Sequence, residues 1–276
     1  MRPPDAYNKA TSPAKPIPEY LTVEENLRAA MRFFGQASGS GEVQPLDGSV
    51  AMYSGLDYGV FNIALLTAPA ADGQLESRLR DVARFFRERT MRWSFWLCED
   101  LLDAHLRARA RQTFAMFGMR AISNPPGMLA PALLHPAGPL PAIEMRPVAD
   151  AQTRAAFAEI TAVCFDIPYL VARAVYGRED AWNHGYEGFV GYANGKAIAI
   201  VAMVAAADAI GVYSLGTLPA FRRRGYGEAL LRASAAEVMR RTGHSRFVLQ
   251  STEAGYDLYR RMGFRNVTRF AVYLTK

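Results

Sequence analysis

The segment LGTLPAFRRRGYG, residues 215–227, decides the fold class of this 276-residue chain. The apolar run over residues 210–217 predicts a β-strand, and the apolar spacing over residues 227–241 predicts an α-helix. The segment therefore joins a strand to the first turn of a helix, where backbone N–H groups lack intrahelical partners and attract an anion. Two glycines separated by one residue allow close approach to a diphosphate, and arginines 222–224 add positive charge.

This loop differs from two common phosphate-binding motifs. It lacks the Gly-Lys-Ser/Thr ending of a Walker loop and the third glycine of a dinucleotide fingerprint. The alternative interpretation is a plain turn from strand to helix with solvated arginines. The neighbouring chain therefore has to decide between the two.

The chain around the loop predicts an α+β domain with a mixed sheet. Asn194-Gly195 is a hairpin turn signal between two apolar runs, and Gly243 and Gly263 end two predicted helices. A helix through Phe157 follows the first strand, and residues 165–187 are predicted to be irregular. The predicted strands are 142–146, 188–192, 197–204, 210–217, 247–250 and 269–274.

A second motif follows the loop at a spacing of about 32 residues. Arg222, Gly225 and Gly227 form an Arg-x-x-Gly-x-Gly pattern, and LYRRMGF, residues 258–264, ends the next helix. Together these motifs resemble the GNAT superfamily of acyl-CoA N-acyltransferases over residues 142–276. The resemblance implies a GNAT-like fold, in which a central mixed β-sheet is flanked by helices.

The resemblance also implies acetyl-CoA (coenzyme A) as the cosubstrate. Loop amides would bind the pyrophosphate, and backbone groups of Leu215 and Thr217 would meet the pantetheine arm and the thioester carbonyl. Many family members carry Asn where this chain has Thr252, whose hydroxyl remains able to bond the pantetheine. The cofactor-binding residues implied in this way are Leu215, Gly216, Thr217, Arg222, Arg223, Arg224, Gly225, Tyr226, Gly227 and Thr252.

Tyr259 is the catalytic residue that the resemblance implies, as the proton donor to the departing thiolate. Its chemistry suits that role, because a phenol with a reference pKa of about 10 stays protonated at neutral pH. The alternative is a tyrosine that merely packs on the core face of its helix beside Leu258 and Met262.

The base that deprotonates the acceptor amine is not identified by the sequence. A carboxylate, a histidine or a chain of waters can accept that proton. Trp182 and Tyr186 are predicted either to wall an apolar pocket or to anchor their loop to the core. The candidate bases, each of which is also an ordinary solvated loop residue, are Glu179, Asp180, His184 and Asp208.

The chain is predicted to contain two related GNAT-like halves in tandem. Residues 1–20 are predicted to be a flexible tail, residues 21–134 an N-terminal α/β domain, residues 135–141 a linker and residues 142–276 the acetyltransferase domain. In the N-terminal domain a capping box at Thr22 and Glu25 starts a helix that ends at Gly35. Its predicted strands are 50–53, 60–67 and 93–97.

The N-terminal half is interpreted as a degenerate copy without a cofactor loop. Residues 114–122 align with 259–267, so that Phe114 takes the place of Tyr259, and the corresponding loop keeps Gly73 but has no arginines. The alternative is two unrelated halves that share a helix-ending glycine by chance. This half is expected to shape the acceptor pocket or an interface.

Composition and charge restrict the possible partners. The net charge is +6, and residues 221–276 carry 12 Lys and Arg against 4 Asp and Glu, which favours an anionic ligand. No nucleic-acid recognition pattern is apparent.

The longest apolar run, residues 197–207, is too short to cross a bilayer. The two cysteines and four histidines predict neither a disulfide framework nor a metal site. Reduced cysteines also predict the cytoplasm as the compartment.

The predicted function is an N-acetyltransferase that transfers an acetyl or other acyl group to a primary amine of a small molecule or peptide. The amine would attack directly in a ternary complex, and a homodimer is possible. The alternatives are a non-catalytic protein that binds coenzyme A or acyl-CoA, against which the retained Tyr259 argues, and a nucleic-acid binder that uses the basic C-terminal segment.

Overall fold

A computed structural model describes residues 17–37 and 39–276, without the side chain of residue 183. The elements of the first half are α1 (Glu19–Gln36), β1 (Glu42–Leu46), β2 (Ser49–Tyr53), β3 (Ile63–Leu66), α2 (Gln74–Glu88), β4 (Ser94–Cys98), α3 (Ala104–Met116), β5 (Met119–Ser123) and β6 (Pro126–Ala130). Those of the second half are β7 (Glu144–Pro147), α4 (Ala151–Phe165), α5 (Tyr169–Tyr176), β8 (Glu187–Ala193), β9 (Lys196–Ala206), β10 (Ala209–Thr217), α6 (Tyr226–Thr242), β11 (Phe247–Gln250), α7 (Glu253–Arg261) and β12 (Arg265–Thr275).

The described strands form one mixed sheet. Its order is β1-β2-β3-β4-β12-β6-β11-β10-β9-β8-β7, with β5 paired to β12 off this path. Within the described chain, β3–β4 and β10–β11 are the parallel pairs, and the other pairs are antiparallel. The predicted α+β class with a mixed sheet is confirmed.

Each half completes the sheet of the other half. Strand β6 of the first half pairs with β11 and with residues 265–269 of β12. The remainder of β12, residues 270–275, pairs with β4 and β5 of the first half. The sheet therefore continues across the predicted linker, residues 135–141, which contains neither helix nor strand. The division into two domains at this linker stays a prediction.

Helix α1 joins the two halves and begins earlier than predicted. It packs against strands of both halves, β2 and β10 among them. Its first residue is Glu19, with Pro18 as N-cap, so the predicted capping box at Thr22 and Glu25 is wrong. Thr22 is buried one turn inside the helix. The predicted tail otherwise lies outside the described residues, apart from positions 17–20.

Four further elements were missed by the sequence patterns, and one of them is β6, which begins at a proline and contains a glycine. Helix α5 lies within the stretch that was predicted to be irregular. Strands β1 and β5 have few buried side chains, so they lack the apolar runs by which strands were recognised. In the described residues, no helix has the length and hydropathy needed to cross a membrane, and no group of three or more potential metal ligands occurs.

Candidate active site

The arginine and glycine loop, residues 218–225, ends at the N-terminus of α6, as predicted. Gly225 is the N-cap residue, with φ of +83°, and it makes no side-chain capping bond. The preceding Arg223 also has a positive φ, +61°. Because the loop curls in this way, the first backbone N–H groups of α6 remain available to an outside acceptor. A negatively charged group placed there is favoured by the helix dipole.

The second loop glycine lies close to the end of β10. A Cβ added at Gly227 would lie 2.9 Å from Oγ1 of Thr217. A Cβ at Gly225 would lie 2.9 Å from Cδ of Pro141, so the linker contacts the loop. The close packing explains why both positions are glycine.

The three loop arginines do not share one role. All three are exposed, but Nε of Arg222 donates a hydrogen bond of 2.9 Å to the Thr217 carbonyl oxygen. Arg222 also lowers the pKa of the Cys164 thiol, which burial raises by a larger effect. Arg223 and Arg224 form no ion pair with any described acid, and Arg224 lies 6.0 Å from the centre of the Phe221 ring. Arg223 and Arg224 are therefore the loop cations that remain for an anionic ligand.

A slot opens between β10 and β11 on the way to this loop. The two strands pair only at Ile210 with Phe247 and at Gly211 with Val248. Strand β10 then continues to Thr217 without a partner on that side, with an irregularity in its pairing to β9 between Tyr213 and Gly216. The carboxyl edge of a parallel strand pair is a common ligand site. The slot leads directly to the loop at the start of α6.

Tyr259 and Thr252 lie on the β11 side of the slot. Tyr259 is 8% exposed and its ring centre lies 5.6 Å from that of Phe264. Burial raises the pKa of Tyr259 above its usual value, so the phenol stays protonated at neutral pH. Its hydroxyl has no hydrogen-bond partner among the described residues. Thr252 is exposed and is the N-cap of α7, with no capping bond from its hydroxyl.

The candidate bases are not assembled at the slot. Glu179 pairs with Arg154 at 3.3 Å, and Asp180 pairs with Arg178 at 2.6 Å. The Arg178 guanidinium holds the pKa of Asp180 below its usual value. Asp208 precedes β10, whose nine residues separate it by roughly 30 Å from the loop.

His184, the fourth candidate base, is exposed. No described contact connects it to the slot. The general base therefore remains unassigned.

Trp182 and Tyr186 anchor α1 and also line a cavity. Both rings pack on Phe33, with centres 5.3 and 4.2 Å away. A cavity of about 370 Å³ adjoins them, and Glu237 and Arg241 are also part of its lining. These two residues lie near the C-terminus of α6, roughly 20 Å along the helix from its N-terminus. The cavity is thus separate from the loop at the start of α6.

Two polar residues in or against β10 were missed by the sequence analysis. Ser214 lies in the irregularity of β10 with φ of +49°, which nothing in its local sequence indicates. Asn26 is fully buried on the apolar face of α1, between Val23 and Ala30. A polar side chain on such a face is a signal that could have identified Asn26.

Comparison with known proteins identifies the fold and a domain match. Residues 184–266 match the model of the acetyltransferase (GNAT) domain. The chain is similar in fold to a GCN5-related N-acetyltransferase from Kribbella flavida, with a TM-score of 0.66, 19% identity and coverage of 93% of this chain and 95% of that chain. A GCN5-related N-acetyltransferase from Sphaerobacter thermophilus matches with a TM-score of 0.52, 16% identity and coverage of 94% and 93%. No curated protein matches in sequence.

A third structure bears on the two-half organisation. A tandem GNAT protein from the clavulanic acid biosynthesis pathway matches with a TM-score of 0.55, 12% identity and coverage of 91% of this chain and 86% of that chain. The fold is therefore a GNAT fold in tandem, as predicted. The predicted resemblance to the GNAT superfamily is confirmed, with the GNAT domain at residues 184–266. The match of residues 184–266 to the GNAT domain model supports acyl transfer as the general class of reaction.

Proposed function

We propose that this protein transfers an acetyl group from acetyl-CoA to a primary amine of a small molecule or peptide, by direct attack in a ternary complex. The observation that carries the proposal is the slot between β10 and β11, which ends at the positively charged N-terminus of α6. A phosphate-bearing ligand with a long, thin arm fits this arrangement. The arm would lie in the slot and the phosphates at the loop.

The loop residues bind and orient the cosubstrate in this proposal. Backbone N–H groups at the start of α6 would hold the pyrophosphate, and Arg223 and Arg224 would add charge. Backbone groups of Leu215 and Thr217 would face the pantetheine arm. An N–H at Leu215 aimed at the thioester carbonyl would stabilise the negative charge that develops on its oxygen. Acetyl-CoA supplies the activated acyl group.

Tyr259 would protonate the departing thiolate. Its pKa is raised by burial and its hydroxyl is unpaired among the described residues, so a proton is available for donation. The acceptor amine loses its own proton to a group that these residues do not identify. Arg222 is assigned to the Thr217 carbonyl oxygen rather than to the pyrophosphate.

Calorimetric titration with acetyl-CoA tests the proposal. We expect micromolar binding of acetyl-CoA and of desulfo-CoA and much weaker binding of ATP, because the slot needs the pantetheine arm. Absence of acetyl-CoA binding at millimolar ligand would refute a cofactor site at this loop.

A panel of primary amines, followed by release of free thiol, then tests turnover. Release that depends on an amine supports the transferase. Tight binding without release for any amine would favour the alternative of a non-catalytic acyl-CoA-binding protein.

A further inference from the structure

Strand β10 contains a bulge where it leaves β11. Its register with β9 pairs Tyr213 with Ala202 and then Gly216 with Ile200. Two residues of β10, Ser214 and Leu215, therefore oppose a single residue of β9. A bulge of this kind turns backbone groups out of the ladder and re-aims them. Here it lies on the edge of the slot.

Two phenol hydroxyls form hydrogen bonds at Ser214 of the bulge and at Tyr213, the residue before it. The hydroxyl of Tyr186 lies 2.9 Å from Oγ of Ser214, and Tyr186 is 3% exposed. The hydroxyl of Tyr213 donates to Oδ1 of Asn26 at 2.7 Å. A positive φ at a non-glycine residue is sterically unfavourable, so Ser214 needs compensating contacts to keep its conformation.

Asn26 is itself fixed by hydrogen bonds to the end of the β9–β10 hairpin. Its side-chain amide donates to carbonyl oxygens of three residues, at 2.8 to 3.2 Å: Val204, Ala206 and Ala209. A Cβ at Gly211 would lie only 1.9 Å from Oδ1 of Asn26, so α1 approaches β10 as closely as glycine allows. The first half of the chain thus holds the strand that borders the slot.

We propose that Tyr186, together with Asn26 of the N-terminal half, is a positioning residue that holds the β10 bulge so that the Leu215 amide faces the thioester carbonyl. This inference rests on the proposed function. Preorganised N–H donors are effective only when their direction is fixed before the reaction. If Tyr186 loses its hydroxyl, Ser214 can relax towards a regular strand, and the Leu215 N–H turns back towards β9. The loop at α6 is unaffected.

The test compares Tyr186→Phe with the wild-type protein on acetyl-CoA labelled with ¹³C at the acetyl carbonyl. A hydrogen bond from an amide lowers the infrared stretching frequency of the bound carbonyl relative to free acetyl-CoA. We expect the variant to lose more than half of this shift, while its dissociation constant changes by less than about threefold. With an amine accepted in the panel, kcat should fall by about tenfold at unchanged KM for acetyl-CoA.

Tyr192→Phe is the matched control, because the Tyr192 hydroxyl is buried without a hydrogen-bond partner. This variant should leave both the shift and the affinity unchanged. In the Tyr186→Phe background, Ser214→Gly should restore the shift, because glycine adopts a positive φ without strain. If Tyr186→Phe does not fold, Ser214→Ala removes the hydroxyl that bonds Tyr186, and with it the interaction of that hydroxyl with Tyr176, and is expected to lose the shift.

The outcomes separate this inference from the proposed function. A wild-type protein that fails to bind acetyl-CoA would refute the proposed function. Binding with a full carbonyl shift in Tyr186→Phe would overturn the positioning role alone. A lost shift that Ser214→Gly does not restore would show that Tyr186 acts other than through the φ of Ser214, and would also overturn it.

Discussion

Two strand–loop–helix units of this molecule have similar backbones, but their loops differ in whether a side chain fills them. In the first half, β3 leads through residues 67–73 to α2, and in the second half β10 leads through residues 218–225 to α6. Both helices start after a left-handed N-cap glycine, Gly73 with φ of +75° and Gly225 with φ of +83°. The similarity of backbone therefore does not by itself create a ligand site.

A side chain of α2 fills the loop of the first half. Arg78 is 8% exposed and its Nη1 donates to the carbonyl oxygens of Ala68 and Pro69, at 2.8 and 3.1 Å. In the second half, Arg223 and Arg224 point to solvent and pair with no described acid. The same residue type thus completes one loop and leaves the other open for an anion.

The two parallel strand pairs also differ in how far along the strands they are hydrogen-bonded. Strand β3 pairs with β4 at residues 63–65, which is nearly its whole length. Beyond these strands, the Ala70 N–H donates to the Leu101 carbonyl oxygen at 2.9 Å, and Ala70 and Leu102 form a parallel bridge. The corresponding region between β10 and β11 has no pairing beyond Gly211 in the described chain. Among the described residues, the gap in parallel pairing therefore lies in the second half and is closed at the corresponding place in the first half.

The largest effect is expected from Gly227→Val. Its side chain would enter the space beside Thr217, where the loop packs on β10, and would displace the backbone that faces the pyrophosphate. Acetyl-CoA affinity should fall by about 100-fold or more, measured by calorimetry on protein whose circular dichroism is unchanged. The control variant Gly73→Asn should retain wild-type affinity, since nothing lies within 4 Å of a Cβ there and asparagine tolerates the positive φ of +75°. Equal loss in both would contradict the difference between the loops.

Tyr259→Phe tests the difference between α7 and α3, the two helices whose C-terminal ends align in sequence. Loss of the proton donor should lower kcat by about 100-fold with little change in acetyl-CoA affinity, measured by thiol release and calorimetry. The reverse change, Phe114→Tyr, should leave kcat unchanged, because Phe114 is buried and stacked on Tyr273 with ring centres 3.8 Å apart. An unaltered kcat in Tyr259→Phe would remove this tyrosine from the proposed role.

The loop arginines give a smaller effect that depends on salt. The double variant Arg223→Ala, Arg224→Ala should bind acetyl-CoA about tenfold more weakly at low ionic strength, with a smaller loss at 0.5 M salt, because exposed charges are screened. Arg78→Met should not change affinity but should lower the free energy of unfolding by about 1–3 kcal/mol, since two carbonyls lose their donor. Calorimetry measures the affinity of both variants and urea unfolding measures their free energies of unfolding. Weaker binding by Arg78→Met with unchanged binding by the double variant would contradict this contrast.

The smallest effect concerns pH. A proton donor must be protonated to act, and burial raises the pKa of Tyr259 above the usual phenol value of about 10. Since the group loses its proton only above that pH, kcat at saturating amine should not decline between pH 8 and 10. The stability contributed by the raised pKa is present below pH 10 and is lost only as pH rises further. A decline of kcat centred below pH 10 in the wild type, absent in Tyr259→Phe, would contradict the burial effect.

The local parts of the site were predictable and the long-range contacts were not. Spacing alone predicted the loop, helices α6 and α7 and most strands of the second half, because glycine stops and apolar periodicity act within a few residues. The positive φ of Ser214 was not predictable, since it depends on Tyr186, 28 residues away. The role of Asn26 depends on partners about 180 residues away.

The sequence by itself determined which half carries an arginine and glycine loop, where the helices end and where a protonated phenol follows the loop. These properties depend on residue type and on backbone preferences over one or two turns. Only the tertiary structure decided that β6 pairs with strands of the second half and that β12 pairs with strands of the first. It also decided that Arg78 fills the first loop and that α1 holds the bulge of β10. Hydrogen bonds between distant segments form only when the whole sheet assembles, so no local pattern specifies them.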